Sequence, residues 1–337
     1  MCLSRLEHGD NKYWKWDGSN YVELQIPPGA TVAQRAYEMQ GAMIRCPDPT
    51  RALEEHYLPA DYLNYGRPVV IGFIGATTSG KTHLLSAMVG AIEGHELSDF
   101  QITSRPLDER WHHGFLEQNV RPLLQEGKVL PATQEKLVSF ADAMLMGSAG
   151  RPQRPVALFD VAGGELTREL TSQQGAKRFL QIADGFIFVV DSARLGESRT
   201  GDDTFNTLIG LLRAVNRLPS VSAAVVLNKA DLRRFDDPVT RWLRTDLAGL
   251  DPDLIREESA DVFAYLESFG SPAWAEPFRA CHKGTLHVAS ATGCSAEAGP
   301  GGAYAKGVQP RRVLGPLVAL LAMTGVLTGP QAQRVGA

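Results

Sequence analysis

"GATTSGKT" (residues 75–82) stands between the apolar run "VVIGFI" (69–74) and the stretch "HLLSAMVGAI" (83–92). It meets the pattern G-x-x-x-x-G-K-[ST] at every fixed position, with Gly75, Gly80, Lys81 and Thr82. Backbone N–H groups converge on phosphate oxygens only where glycines allow the tight points. Lys81 then adds a point charge at the β/γ-phosphates, and the Thr82 hydroxyl is placed to ligate Mg²⁺. Gly75, Ser79, Gly80, Lys81, Thr82 and His83 are therefore candidate nucleotide contacts, with Lys81 also the candidate catalytic cation. The alternative, a plain Gly-rich turn, is disfavoured by the buried strand before the motif and the helix start after it. The motif specifies phosphate and leaves the base open.

Outward from this loop, short β-branched runs alternate with helix-like segments. The runs are "PVVIGFI" (68–74), "PVALFD" (155–160), "GFIFVVD" (185–191), "SAAVVLN" (222–228) and "TLHVAS" (285–290). Helices are expected over 81–93, 107–126, 166–182, 203–217, 253–268 and 311–323. Continuous apolar strands separated by helices describe a doubly wound α/β fold, a mostly parallel sheet with helices on both faces. Ligands of such folds bind beyond the carboxyl ends of the strands. Residues 67–327 are expected to form this unit, with a helical insertion near 235–283. Residues 1–66, which contain "IPPGA" and "CPDPT" and no sustained period, are expected to be an extension or cap, and 328–337 a tail. The Gly/Ala-rich "SAEAGPGGAYAKGVQP" (295–310) reads as a loop.

Composition is consistent with a globular chain: 337 residues, 44% hydrophobic, 21% charged, net charge −4. That balance gives no bulk electrostatic reason to expect nucleic acid or an anionic membrane as partner. Cys2, Cys46, Cys281 and Cys294 form no Cys-x-x-Cys pair, so free thiols are expected rather than a disulfide framework or zinc ribbon. "MCLSRLEHGDNKYWKW" lacks the apolar core of a signal peptide. The longest apolar stretch, Val313 to Leu327, is 15 residues, short of the ~20 that span a bilayer. No transmembrane segment and a cytoplasmic location are expected; the oligomeric state is open.

"VALFDVAGGE" ends a buried strand with Asp160, and Gly163 follows three residues later. A carboxylate on the strand beside the phosphate loop is placed to hold Mg²⁺, and the Gly163 N–H to sense the γ-phosphate. "VVLNKADL" then puts Asn228, Lys229 and Asp231 after another buried strand. Guanine presents N1–H and a 2-amino group as adjacent donors that one carboxylate accepts together, whereas adenine presents a lone pair at N1. Asp231 is thus the candidate base reader, Asn228 a brace and Lys229 a cover for the base plane. "VASATG" adds Ser290, Ala291 and Thr292, with the Ala291 N–H a candidate donor to guanine O6.

Phosphate loop, D-x-x-G, N-K-x-D and S-A-x in this order resemble the Ras-like G domain of translation-factor-related (TRAFAC-class) P-loop GTPases, over about residues 67–327. More narrowly, "FDVAGGEL", "RFLQIADGFIFVVDSARLG" and "RPLDERWHHGFLEQNVRPLLQEGKVLPATQ" resemble the bacterial double-GTPase type. The resemblance implies GTP/GDP and Mg²⁺ as ligands, hydrolysis of GTP to GDP and phosphate, and a protein effector or activator. The N-terminal zinc ribbon often found in that type is not supplied by Cys2 and Cys46. Small Ras-like proteins place a glutamine directly after the D-x-x-G glycine to orient the attacking water; Gly164 stands there, followed by Glu165. Hydrolysis is therefore expected to be slow unless Glu165, another residue or a partner positions the water. Glu165 serves equally well as an acidic residue favouring the next helix N-terminus.

Seventy-seven residues separate Thr82 from Asp160, far more than a minimal switch needs. Thr133 is the first candidate for the Mg²⁺-sensing threonine and Thr103 the second. His112 and His113 lie about 100° apart on a helix, poor geometry for a shared metal, and solvated or partly buried rings are expected. Arg151, Arg154 and Arg168 are minor candidates for a charge supplied in cis. Two rival functions remain: a nucleotide-holding scaffold with little turnover, which Gly164 keeps open, and an ATP-dependent P-loop enzyme.

Overall fold

Adjacent residues of the central strands belong to different cores, and this explains their unbroken apolar runs. In β5 (Val69–Ile74), Val69, Ile71 and Phe73 pack into one hydrophobic cluster, while Val70 and Ile74 pack into another. In β9 (Gly185–Asp191), Ile187 and Val189 face the first, and Phe186, Phe188 and Val190 the second. A strand covered on both faces carries no polar alternation. The computed structural model describes residues 12–47, 55–131, 138–161, 174–196, 203–269, 272–297 and 302–336.

Among these residues the main sheet has seven strands. Its order is β11 (Lys283–Val288), β10 (Ser222–Asn228), β9, β5, β8 (Arg154–Val161), β7 (Val138–Ser148) and β6 (Ile102–Pro106). From β11 to β8 neighbours are parallel; β7 and β6 are antiparallel additions. The α/β fold expected from the sequence is the one observed. α2 (Lys81–Glu93) and α10 (Gly315–Met323) bury against the first face. α5 (Gln174–Ile182) and α6 (Asp203–Ala214) supply Phe179, Leu180, Phe205, Leu208 and Leu212 to the second.

Local chemistry sets the helix starts. Asp108 accepts from Trp111 N at 2.8 Å to open α3 (Glu109–Phe115), which runs through a π-helical turn, Leu116–Val120, into α4 (Arg121–Leu124). Asp251 accepts from Asp253 N and Leu254 N, with Pro252 in the first turn, to open α8 (Pro252–Ser268). α7 (Val239–Arg244), α8 and α9 (Glu276–Ala280) occupy the stretch read as a helical insertion.

β6 and β7 are not legible as apolar runs. β7 carries Asp142 in its interior, fully buried, and a register shift between Phe140 and Asp142. β6 buries only Ile102 within its span. His112, expected to be solvated or partly buried, is buried instead: Nδ1 lies 2.6 Å from Asp142 Oδ2 and Nε2 3.1 Å from Glu93 Oε2.

Residues 13–59 contain a second, antiparallel sheet in the order β2 (Tyr21–Glu23), β1 (Tyr13–Trp16), β3 (Met43–Arg45) and β4 (Tyr57–Pro59), with α1 (Val32–Glu38) between β2 and β3. Its core is small, built on Ala42, Ile44 and Ala60. It meets the main unit where the Arg110 guanidinium lies over the Trp16 ring, 4.7 Å from its centroid, and hydrogen-bonds the Tyr21 hydroxyl. Among the described residues no helix is long and apolar enough to cross a membrane, and no group of three His, Cys, Asp or Glu is arranged to hold a metal.

Candidate functional site

The carboxyl end of β5 opens into the turn that the Gly-rich pattern anticipates. A Cβ on Gly75 would meet Val189 O at 2.5 Å, so the loop approaches β9 as closely as backbone allows. Gly80 has φ +85°, and a Cβ there would meet the Asn228 side-chain nitrogen at 2.7 Å. The loop then feeds α2, whose first-turn N–H groups and dipole favour an anion. Lys81 is buried, and its Nζ donates to Gly75 O at 2.9 Å and Ala76 O at 3.0 Å, folding the ammonium across the loop. Ser79 Oγ is buried and, among the described residues, has no hydrogen-bond partner, a donor held ready inside the cradle.

Asp160 lies opposite Phe73 in the register of β8 against β5. Thr82 Oγ1 donates to Asp160 Oδ2 at 2.7 Å. A hydroxyl and a carboxylate from two elements thus converge at the mouth of the loop. They are hard oxygen donors of the kind Mg²⁺ takes, and so fit that ion. Both line a cavity of about 370 Å³ whose other walls include Trp111, Gln118 and Phe140.

Asn228 ends β10, and its amide donates to Ser79 O at 3.0 Å, tying the third motif to the first. Lys229 takes φ +54°, and its Nζ lies 2.7 Å from Asp191 Oδ2. Ser192 Oγ donates to Lys229 O at 2.6 Å. Asp191 and Ser192 escaped the reading of the sequence, although the carboxylate ending "GFIFVVD" was the available signal. Asp231 Oδ1 accepts from Ser290 Oγ at 2.5 Å, and Ser290 Oγ accepts from Gly293 N at 2.9 Å. Ala291 is buried directly after Ser290.

His83 follows Thr82 and is mostly enclosed. Burial, then the Lys229 charge, hold its pKa down at about 4, so the ring is neutral near pH 7. Its Nε2 accepts from Leu130 N at 3.2 Å. Gly163, Gly164, Glu165, Arg168 and Thr133 lie outside the described residues.

Thr103 is placed away from the site. It pairs with Gly147, at the opposite end of β7 from Ser139, the residue opposite Asp160. Its hydroxyl donates to Gly147 O at 3.3 Å. Arg154, which opens β8, donates to Gly325 O and Arg67 O at that same far end, and Arg151 sits in the turn just before it. None of the three reaches the phosphate loop.

Residues 69–269 match the family model described as Double-GTPase 2, which is well over half of the chain. The chain belongs to the double-GTPase 2 family. No curated protein matches it. Among solved structures it is similar to the "LeoA bacterial dynamin GTPase from ETEC", at 16% identity and a TM-score of 0.34, over 66% of this chain and 30% of that one. It therefore spans less than a third of that neighbour, and a likeness of this size carries no functional argument. The double-GTPase 2 match begins at Val69, the first residue of β5, and ends just past α8. Ser290 lies beyond that span, and its bond to Asp231 joins it to the candidate site.

Proposed function

We propose that this double-GTPase 2 chain is a GTP-binding switch with Mg²⁺-dependent hydrolysis. The observation that carries the reading is the Asn228–Ser79 bond, because it joins a phosphate cradle to a base-reading loop in one cleft. Gly75 to Thr82 hold the phosphates, with Lys81 the charge that neutralises them. Thr82 and Asp160 would hold the metal, with Thr133 the proposed third oxygen. When bound, Mg²⁺ would supply charge neutralisation at the phosphates.

Asp231 reads the N1–H and 2-amino group of guanine, and Ser290 sets its rotamer. Lys229, pinned by Asp191, lies along the base, and the Ala291 N–H donates to O6. Gly163 reports the γ-phosphate, and its release reorders the switch segments that a protein effector contacts. Residues 1–66 form an extension or cap, and the insertion near 235–283 contacts that partner.

Turnover is proposed to be slow, because Gly164 carries no side-chain amide to orient water. Glu165 or a partner supplies that function. Gly164 also supports a second reading, a scaffold that holds GTP or GDP without turnover. Single-turnover hydrolysis of GTP, with and without cell extract, separates them: cleavage in either condition supports the switch, and none in both supports the scaffold. Tighter binding of ATP than GTP overturns both in favour of an ATP-dependent enzyme.

A further inference from the structure

The Gly/Ala-rich segment after Ser290 has a defined place in the cleft. Its backbone pairs with the segment that leads toward Thr133. Lys128 and Ala303 form an antiparallel bridge, Tyr304 N donates to Gly127 O at 2.7 Å, and Val129 N donates to Gly302 O at 3.1 Å. One residue further on, Leu130 N donates to the His83 ring. This zip fixes the place of the one aromatic residue of the 295–310 segment, Tyr304.

The Tyr304 ring stands edge-on to His83, with centroids 6.2 Å apart. The loop that carries it is closed just beyond Ser290, where Gln309 N donates to Thr292 O at 2.9 Å. Burial raises the phenol's pKa. Tyr304 therefore stands beside the residue that follows Thr82, on a loop whose two ends, Ser290 and Arg311, pair next to the carboxylate proposed to read the base. What lies between a base reader and a phosphate cradle is the nucleoside. A half-buried aromatic ring at that point offers a face or edge to a purine, whose π-surface favours such packing.

We propose that Tyr304 is a positioning and affinity residue for the guanine nucleoside, closing the base end of the cleft from the segment after Ser290. This rests on the GTP-binding reading above. Because the 302–304 strand is zipped to 127–129, ordering the base end also holds the segment that leads into residues 132–137. The ring works through the nucleoside, so its loss is felt by nucleotides and not by a bare polyphosphate.

The test uses the full chain and three versions: wild type, Tyr304→Ala and Tyr304→Phe. Calorimetry with GDP, and with inorganic tripolyphosphate in Mg²⁺, is read beside the ¹⁹F signal of 3-fluorotyrosine placed at 304. GDP affinity is expected to fall about tenfold in Tyr304→Ala and to stay within about twofold in Tyr304→Phe. Tripolyphosphate affinity should not change, and the ¹⁹F signal should move with GDP but not with tripolyphosphate. An unchanged GDP affinity in Tyr304→Ala, or equal losses for GDP and tripolyphosphate, overturns the assignment while leaving GTP binding intact. A wild type that binds no guanine nucleotide overturns the reading beneath it as well.

Discussion

Ser290 Oγ sits 2.5 Å from Asp231 Oδ1 and accepts from Gly293 N, so the hydroxyl proton is committed to the carboxylate. One oxygen of Asp231 is thereby anchored, and the side chain is held before any ligand arrives, which lowers the ordering cost of binding. Asp231→Asn should weaken GTP by at least about tenfold, because an amide donor would then face the 2-amino group. The same change should improve xanthosine triphosphate, whose 2-oxo group accepts. Competition binding measures both, and an unchanged GTP affinity would remove Asp231 as the base reader.

Lys81 donates to two loop carbonyls, Gly75 O and Ala76 O, from a buried position. The ammonium spans the loop that the phosphates are proposed to fill, where it acts as a near, poorly screened charge. Lys81→Ala should abolish detectable binding of GTP and GDP alike while thermal stability stays close to wild type. Retained GDP binding in equilibrium dialysis would disprove the phosphate-loop assignment.

His112 lies between Asp142 and Glu93, with 6% of its side chain exposed. Its hydrogen bond to Asp142 raises the pKa to about 9 against burial, with the Asp142 charge and Glu93 adding to the rise. A group whose folded pKa is raised stabilises fully below its unfolded value and loses that contribution as pH climbs through the folded one. The window therefore opens near 6.5 and closes near 9. Between pH 6 and pH 10 the wild type should lose on the order of 2 kcal/mol more stability than His112→Gln. Parallel urea midpoints for the two across that range would rule the linkage out.

The same pair shows where the sequence was silent. The doubly wound sheet was legible because Val69–Ile74, Gly185–Asp191 and Ser222–Asn228 are buried on both faces and so read as unbroken apolar text. β7 was not, since Asp142 interrupts it and has meaning only once His112 arrives from α3. Likewise the meeting of Thr82 with Asp160 and of Asn228 with the phosphate loop was legible from the motifs, because each motif sits at the carboxyl end of an apolar strand. Asp191 and Tyr304 were not, since their roles depend on which loops the fold brings together. No spacing rule joins residue 304 to residue 127.

Arg312 follows Arg311, whose backbone pairs with Ser290. Its guanidinium lies 2.7 Å from Glu258 Oε1, with 4% and 1% of the two side chains exposed, and NH1 donates to Thr245 O at 2.6 Å. Glu258 also accepts from Val288 N at 2.8 Å and meets His287 Nδ1 at 3.2 Å. Burial pushes its pKa up, but His287, Arg312 and the Val288 N–H outweigh that and hold it below the usual range. Removing one partner leaves a buried carboxylate short of a cation, which costs about 3 kcal/mol or more. The neighbour, Arg311, exchanges both backbone bonds with Ser290, so loosening this corner should free the hydroxyl that steadies Asp231. Arg312→Met is expected to lower stability by about 3 kcal/mol in urea and to weaken GDP more than tripolyphosphate. Adding Glu258→Gln should recover part of the stability. Stability losses that simply add would show that the two residues do not act as a pair.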